Sequence, residues 1–229
     1  MAQGMHFLQI PGPSPVPERI QRAIDRQVID HRSATFQKLG REVLEAIREP
    51  FGTRQPVIIF PASGTGAWEA AIANTLSSGD RVLMVETGQF AVLWSQIAKR
   101  WGLQVEMLET DWRHGVNPGD IEARLSEDKA HTIKAVMVVH NETATSCASD
   151  IGAVRKAMDK AHHPALLMID SVSALASMPV KQDEWGVDVV VSGSQKGMMM
   201  PLGLAFTGVS QKALAAAKTG NLPRSSWDW

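Results

Sequence analysis

From residue 56 onward, short apolar runs alternate with longer amphipathic stretches. The short runs predict strands at Val57–Phe60, Arg81–Glu86, Gln104–Leu108, Lys134–His140, Ala165–Asp170 and Val187–Ser192. The longer stretches predict helices at Gly66–Leu76, Phe90–Trp101, Pro118–Ser126 and Ile151–Ala161. Pro118 suits a first helical turn, Asp150 is placed to cap the helix after it, and Gly79 and Gly102 stand where helix stops are expected. Strands alternating with helices predict βαβ units, hence a mainly parallel sheet covered on both faces. The unbroken apolar runs Ala135–Val139 and Leu166–Ile169 agree, because parallel strands are buried on both sides. A last run, Gly203–Val209, follows only ten residues after the strand before it. That gap is too short for a helical crossover, so this strand is predicted to be antiparallel.

Before residue 56 the pattern is different. Pro11-Gly12-Pro13-Ser14-Pro15-Val16-Pro17 carries four prolines and cannot form a regular helix or a central strand. Residues 1–17 are therefore read as an extended arm laid across a single large domain, 18–229, whose first helices are Glu18–Arg26 and Thr35–Arg48.

Composition narrows the classes. The 44% hydrophobic content of this 229-residue chain excludes global disorder. With 23 basic residues against 24 acidic ones, the net charge of −1 offers no electrostatic footprint for nucleic acid or an anionic membrane. The longest apolar runs fall far short of the roughly 18 residues a membrane span needs. The single cysteine, Cys147, forms no internal disulfide, which fits a reducing compartment. The expectation is a soluble, cytoplasmic protein. Its seven histidines and one cysteine show no metal-ligand spacing, and no metal is assigned.

Candidate chemistry lies at the strand ends, where open α/β sheets bind ligands. Val57–Phe60 runs into Pro61-Ala62-Ser63-Gly64-Thr65-Gly66, a small-residue loop opening a helix and suited to a phosphate. The following strands lead to Thr87-Gly88-Gln89-Phe90, to His140-Asn141-Glu142-Thr143, to Asp170, and to Ser192-Gly193-Ser194-Gln195-Lys196-Gly197. Each signal alone is ordinary turn chemistry, and His140 reads equally as a core histidine. Together they bring a phosphate cradle, an aromatic ring, a hydroxyl, a carboxylate and an amine to one edge, which is the set a pyridoxal phosphate site requires.

In this order and spacing the motifs resemble the class V, fold-type I aminotransferases, most of all the serine–glyoxylate type. The resemblance runs through Pro11-Gly12-Pro13, Ile29–Arg32, Pro61–Gly66, Glu86-Thr87-Gly88, Asp111–Val116, His140–Thr143, Asp183–Asp188, Gly193–Gly197 and Leu222-Pro223-Arg224. It implies a three-layer large domain with pyridoxal 5′-phosphate as cofactor, an amino acid and a 2-oxo acid as substrates, and a homodimer. By position it implies that Lys196 is the Schiff-base lysine, Asp170 the partner of the pyridinium nitrogen, and Phe90 the ring stacked on the cofactor. Thr143 resembles the hydroxyl near the ring oxygen. Ser63, Gly64 and Thr65 resemble the phosphate cradle with Gln195 beside it, and Pro11 and Gly12 line the substrate space. Asp170 is expected to be ionised. The implied reaction is ping-pong transamination from serine, or from alanine or aspartate, to glyoxylate. The alternatives are a non-catalytic truncated remnant that binds cofactor or acts only as an interaction module, and a lyase or desulfurase on the same scaffold, for which Cys147 would be the sulfur group.

Two features depart from that family. The chain stops at Trp227-Asp228-Trp229, where its members continue into a smaller C-terminal domain carrying the arginine for the substrate carboxylate, so that domain is expected to be missing. Thr145-Ser146-Cys147 stands where the family has Thr-Gly. If that position needs a left-handed backbone, Ser146 costs about 1 kcal/mol.

Overall fold

Seven strands form one sheet in the order β1-β7-β6-β5-β4-β2-β3: β1 (Val57–Pro61), β2 (Arg81–Glu86), β3 (Gln104–Glu109), β4 (Ile133–Val139), β5 (Leu166–Asp170), β6 (Val189–Gly193) and β7 (Leu204–Val209). The computed structural model describes residues 8–229, so the part of the N-terminal arm in residues 1–7 lies outside it. Strands β3, β2, β4, β5 and β6 are mutually parallel, and β7 runs antiparallel to both of its neighbours, as its short connection predicts. Because β7 opposes both β1 and β6, these two point the same way. The loop after β1 therefore emerges at the same end of the sheet as the loops after β2, β4, β5 and β6.

The eight helices among the described residues are α1 (Glu18–Ile24), α2 (Ala34–Ala46), α3 (Arg48–Phe51), α4 (Gly64–Thr75), α5 (Gln89–Arg100), α6 (Pro118–Glu127), α7 (Ile151–Lys160) and α8 (Gln211–Ala217). Alternate residues of the central strands feed two cores. Ala135, Met137 and Val139 of β4 join Met168 of β5 in the layer packed by α4, α5 and α8. Val136, Val138, Leu167 and Ile169 join Ile121 and Leu125 of α6 and Ile151, Val154 and Met158 of α7 on the other face. This period of two on a sheet covered twice is what the continuous apolar strands require. Each such side chain contributes about 1.5–3 kcal/mol by leaving water.

Local chemistry sets the boundaries. Pro118 is in the first turn of α6, and the Asp150 carboxylate accepts from Ala153 N at 2.9 Å at the start of α7. Gly102 ends α5 with φ +81°, but Gly79 instead shapes the turn into β2, its N–H donating to Gly102 O at 2.8 Å. α4 starts two residues earlier than its apolar pattern indicates. β6 starts two residues later than expected, although the Asp188 backbone still donates to Leu167 O at 2.9 Å and its carboxylate accepts from Leu167 N at 2.9 Å. The expected helix Thr35–Arg48 is two pieces, α2 and α3. α8 was not anticipated, although Ser210 caps it through Ala213 N at 3.1 Å and an alanine run follows.

Candidate active site

A cavity of about 240 Å³ opens beyond the carboxyl ends of the strands. Ser63, Gly64, Thr65, Phe90, Thr143, Asp170, Gln195 and Lys196 all line it, and Gly12 of the arm closes one side. Pro11 does not line it. Its ring belongs to an adjoining cavity of about 370 Å³ that shares Lys196 and Ser173, while its carbonyl accepts from Lys196 Nζ at 2.9 Å. Pro11 therefore meets the cavity through Lys196. Cys147 lies outside the cavity wall, its Sγ against the Trp112 carbonyl at 3.7 Å.

One end of the cavity is built for an anion. α4 begins at the sheet edge with Ser63 as its N-cap residue, and the Ser63 hydroxyl caps nothing, so the first N–H groups face open space. Gly64 is required by close approach: a Cβ there would stand 2.6 Å from Val172 Cγ2. Gln195 Oε1 beside it is buried without a hydrogen-bond partner. The amide of Gln195 is free to present either its oxygen or its nitrogen to an occupant. An uncapped 12-residue helix and an unpaired buried amide fit a phosphate group.

The same cavity holds the acid and the amine. Asp170 closes β5 and is 4% exposed. Its Oδ1 accepts from Val172 N at 2.7 Å and its Oδ2 from Trp68 Nε1 at 3.0 Å. Burial pushes its carboxyl up to about 7, with the nearby charge of Glu142 acting in the same direction; the two hydrogen bonds and Lys196 act against it. Without a facing cation Asp170 is thus part protonated at neutral pH, and the expected ionised form needs the positive charge of a ring nitrogen beside it. Burial holds Lys196 below the usual lysine range, against the pull of Asp170. The arm lies on this segment. Ser14 N donates to Gln195 O at 2.8 Å, and Ser14 Oγ to Lys196 O at 2.8 Å. Gly12 has φ +152°, a conformation that favours glycine, and a Cβ there would press on Lys196 Cδ and Cε at 2.7 Å and displace the lysine side chain.

The walls between are tied together by a residue that reads, in sequence, as loop chemistry. Glu142 is fully buried, and its carboxylate accepts from Phe90 N at 3.1 Å, Ala91 N at 3.2 Å and Ala144 N at 3.0 Å. It caps α5 and links the loop bearing Phe90 to the loop bearing Thr143. Thr143 Oγ1 in turn shares a 2.6 Å hydrogen bond with Ser173 Oγ. Trp68, Asn141, Val172 and Ser173 also line the cavity and carry no motif of their own. For Trp68 a signal exists: it is four residues beyond Gly64, on the same face of α4. His140 is the core histidine, its Nδ1 3.3 Å from Ser171 Oγ, and burial pulls it down to about 4.

The family profile "Aminotransferase class-V" matches residues 7–222. The chain is similar to the serine–glyoxylate aminotransferase of Methylorubrum extorquens, 50% identical over 232 residues that include 99% of this chain and 58% of that protein. It is also similar to the L-aspartate–glyoxylate aminotransferase of Paracoccus denitrificans, 49% identical across 96% of this chain and 56% of that protein. Among solved structures, the ureidoglycine–glyoxylate aminotransferase of Bacillus subtilis superposes with a TM-score of 0.91 at 27% identity, covering all of this chain and 58% of that one. The chain thus spans somewhat more than half the length of the relatives it matches.

Proposed function

The chain belongs to the class-V aminotransferase family, and on that premise we propose that it moves an amino group from an amino acid, serine foremost, to glyoxylate, giving hydroxypyruvate and glycine. One observation carries the reading: the Lys196 amine and the Asp170 carboxyl line one cavity at the uncapped start of α4. Pyridoxal 5′-phosphate, when bound, supplies a carbonyl carbon that takes up amino groups and a ring that accepts electrons.

The chain's own groups divide the work. The N–H groups at the start of α4, with Ser63, Gly64, Thr65 and Gln195, would hold the phosphate. Asp170 would face the ring nitrogen, where a positive charge lowers its carboxyl back into the ionised range. Phe90 supplies the aromatic wall and Thr143 a hydroxyl. Lys196 would link the cofactor and, once displaced by substrate, move a proton to and from the substrate's α-carbon. Its depressed basicity favours the free amine, the form able to take that proton. Two half-reactions through one carrier predict ping-pong kinetics.

A homodimer belongs to the proposal. Helix α2 buries none of its residues, and Phe36, Leu39, Val43 and Leu44 make an exposed apolar stripe along it. Light scattering on Leu39→Glu checks this, a monomeric parent being the contrary result. The function is tested by adding pyridoxal 5′-phosphate and following the visible band of the lysine-linked cofactor. Serine should bleach the band and glyoxylate restore it. A band that persists with every amino acid tried, or one that forms equally in Lys196→Ala, overturns the reading.

A further inference from the structure

Among the described residues lining the cavity, Asp170 is the sole acid, and both of its oxygens are held. Val172 N is a local donor, two residues along the chain. The second donor, Trp68 Nε1, comes from 102 positions away and depends on one side chain. That indole has little freedom. It is 4% exposed, lies parallel to Trp94 with ring centroids 5.8 Å apart, and meets Phe90 edge-on at 6.5 Å. A rigid donor aimed at a buried carboxylate fixes its plane at little cost in side-chain entropy.

We propose that Trp68 is a positioning residue of this site: its indole N–H orients the Asp170 carboxyl toward the cavity and favours the ionised form that a ring-nitrogen cation requires. The cofactor part of this inference rests on the reading of Asp170 given above. The groups facing Asp170 are few. Glu142, after β4, disfavours its charge, whereas Lys196, after β6, favours it. His140, whose backbone N–H donates to Asp170 O, is held neutral by burial down to about 4. Trp94 provides the internal control, because its Nε1 is buried without any partner.

The test uses the full chain. In the indole N–H spectrum of the cofactor-free protein, the resonance lost in Trp68→Phe should shift with pH, with a midpoint near 7. Asp170→Asn should abolish that shift. Trp68→Phe should move the Asp170 carboxyl midpoint, read in every variant from the pH dependence of the carboxyl carbon resonance that Asp170→Asn removes, upward by about one pH unit. It should also weaken pyridoxal 5′-phosphate binding at pH 8 by about tenfold. Trp94→Phe, which removes a ring but no hydrogen bond, should leave midpoint and affinity near those of the parent. A Trp68 resonance that ignores pH, or equal midpoints in the two tryptophan variants, overturns the inference. The parent titration decides alone if Trp68→Phe does not fold. Undiminished cofactor affinity in Asp170→Asn overturns the proposed function instead, a result the Trp68 resonance cannot produce.

Discussion

Two buried acids at opposite ends of the sheet, Asp128 and Asp170, are held in opposite ways. At the amino ends, Asp128 accepts from Ile133 N at 2.8 Å, Thr132 Oγ1 at 2.9 Å and His163 Nε2 at 3.2 Å. Burial alone would raise its pKa, yet these bonds outweigh burial and hold the carboxyl well below the usual range. Asp188 is engaged by Leu167 N, Ser210 Oγ and the Lys212 ammonium. At the carboxyl ends, Asp170 lies deeper in the protein with two N–H donors, and burial lifts it to about 7. There too an amide oxygen lacks a partner and a helix start lacks a cap. Completed polar networks hold the fold; incomplete ones leave room for a ligand to complete them.

Lys196→Ala gives the largest effect expected from this contrast. Transamination should fall by about 10²–10⁴-fold or more in steady-state assays, while the melting temperature stays near the parent's. A large loss of stability would place Lys196 with the structural groups. Asp128→Ala is the converse at the other end. It should cost about 1–3 kcal/mol in urea unfolding for each buried donor it leaves unpaired, Ile133 N foremost, and leave pyridoxal 5′-phosphate affinity unchanged.

Asp170→Asn sharpens the contrast through pH. A folded pKa raised above the unfolded value of about 3.9 means that stability is complete below that value and is lost as pH rises toward 7. The asparagine variant, which carries no charge but lacks one acceptor, should therefore lose less stability than the parent between pH 4 and pH 8, by on the order of a few kcal/mol. An equal loss in both would dismiss the charge as its cause. His163 has the opposite sense. Burial lowers its pKa, so stability is present above about 6.5 and is lost as pH falls below it. Smallest is Ser146→Gly. Ser146 has φ +59°, the left-handed conformation anticipated at that position. Relief should add about 1 kcal/mol to unfolding stability without changing cofactor affinity.

Much of the fold was legible because its signals are local. The strands around Ala135–Val139 and Leu166–Ile169 declare themselves by unbroken apolar runs, and the turn from β6 to β7 by its length. Most candidate site residues were legible for a related reason, since they stand at or just after the carboxyl ends of strands, as Asp170, Ser63 and Lys196 do. Glu142 was misjudged because an acid in a loop resembles any other until Phe90 N and Ala91 N are seen facing it. Trp68 was overlooked because a tryptophan inside an apolar helix reads as packing, which it also is.

By itself, the sequence determined which segments become strands and helices, that the sheet is mainly parallel, and which polar residues stand at strand ends. These follow from side-chain periodicity, capping and turn chemistry, all of which act within a few residues. Tertiary structure alone decided that Trp68 grips Asp170, that Glu142 clamps two loops, and that Pro11 O receives the Lys196 amine across 185 positions. It also decided the protonation of Asp170, because a carboxyl's charge depends on how much water is excluded and which donors replace it. That balance exists only after distant segments have packed together.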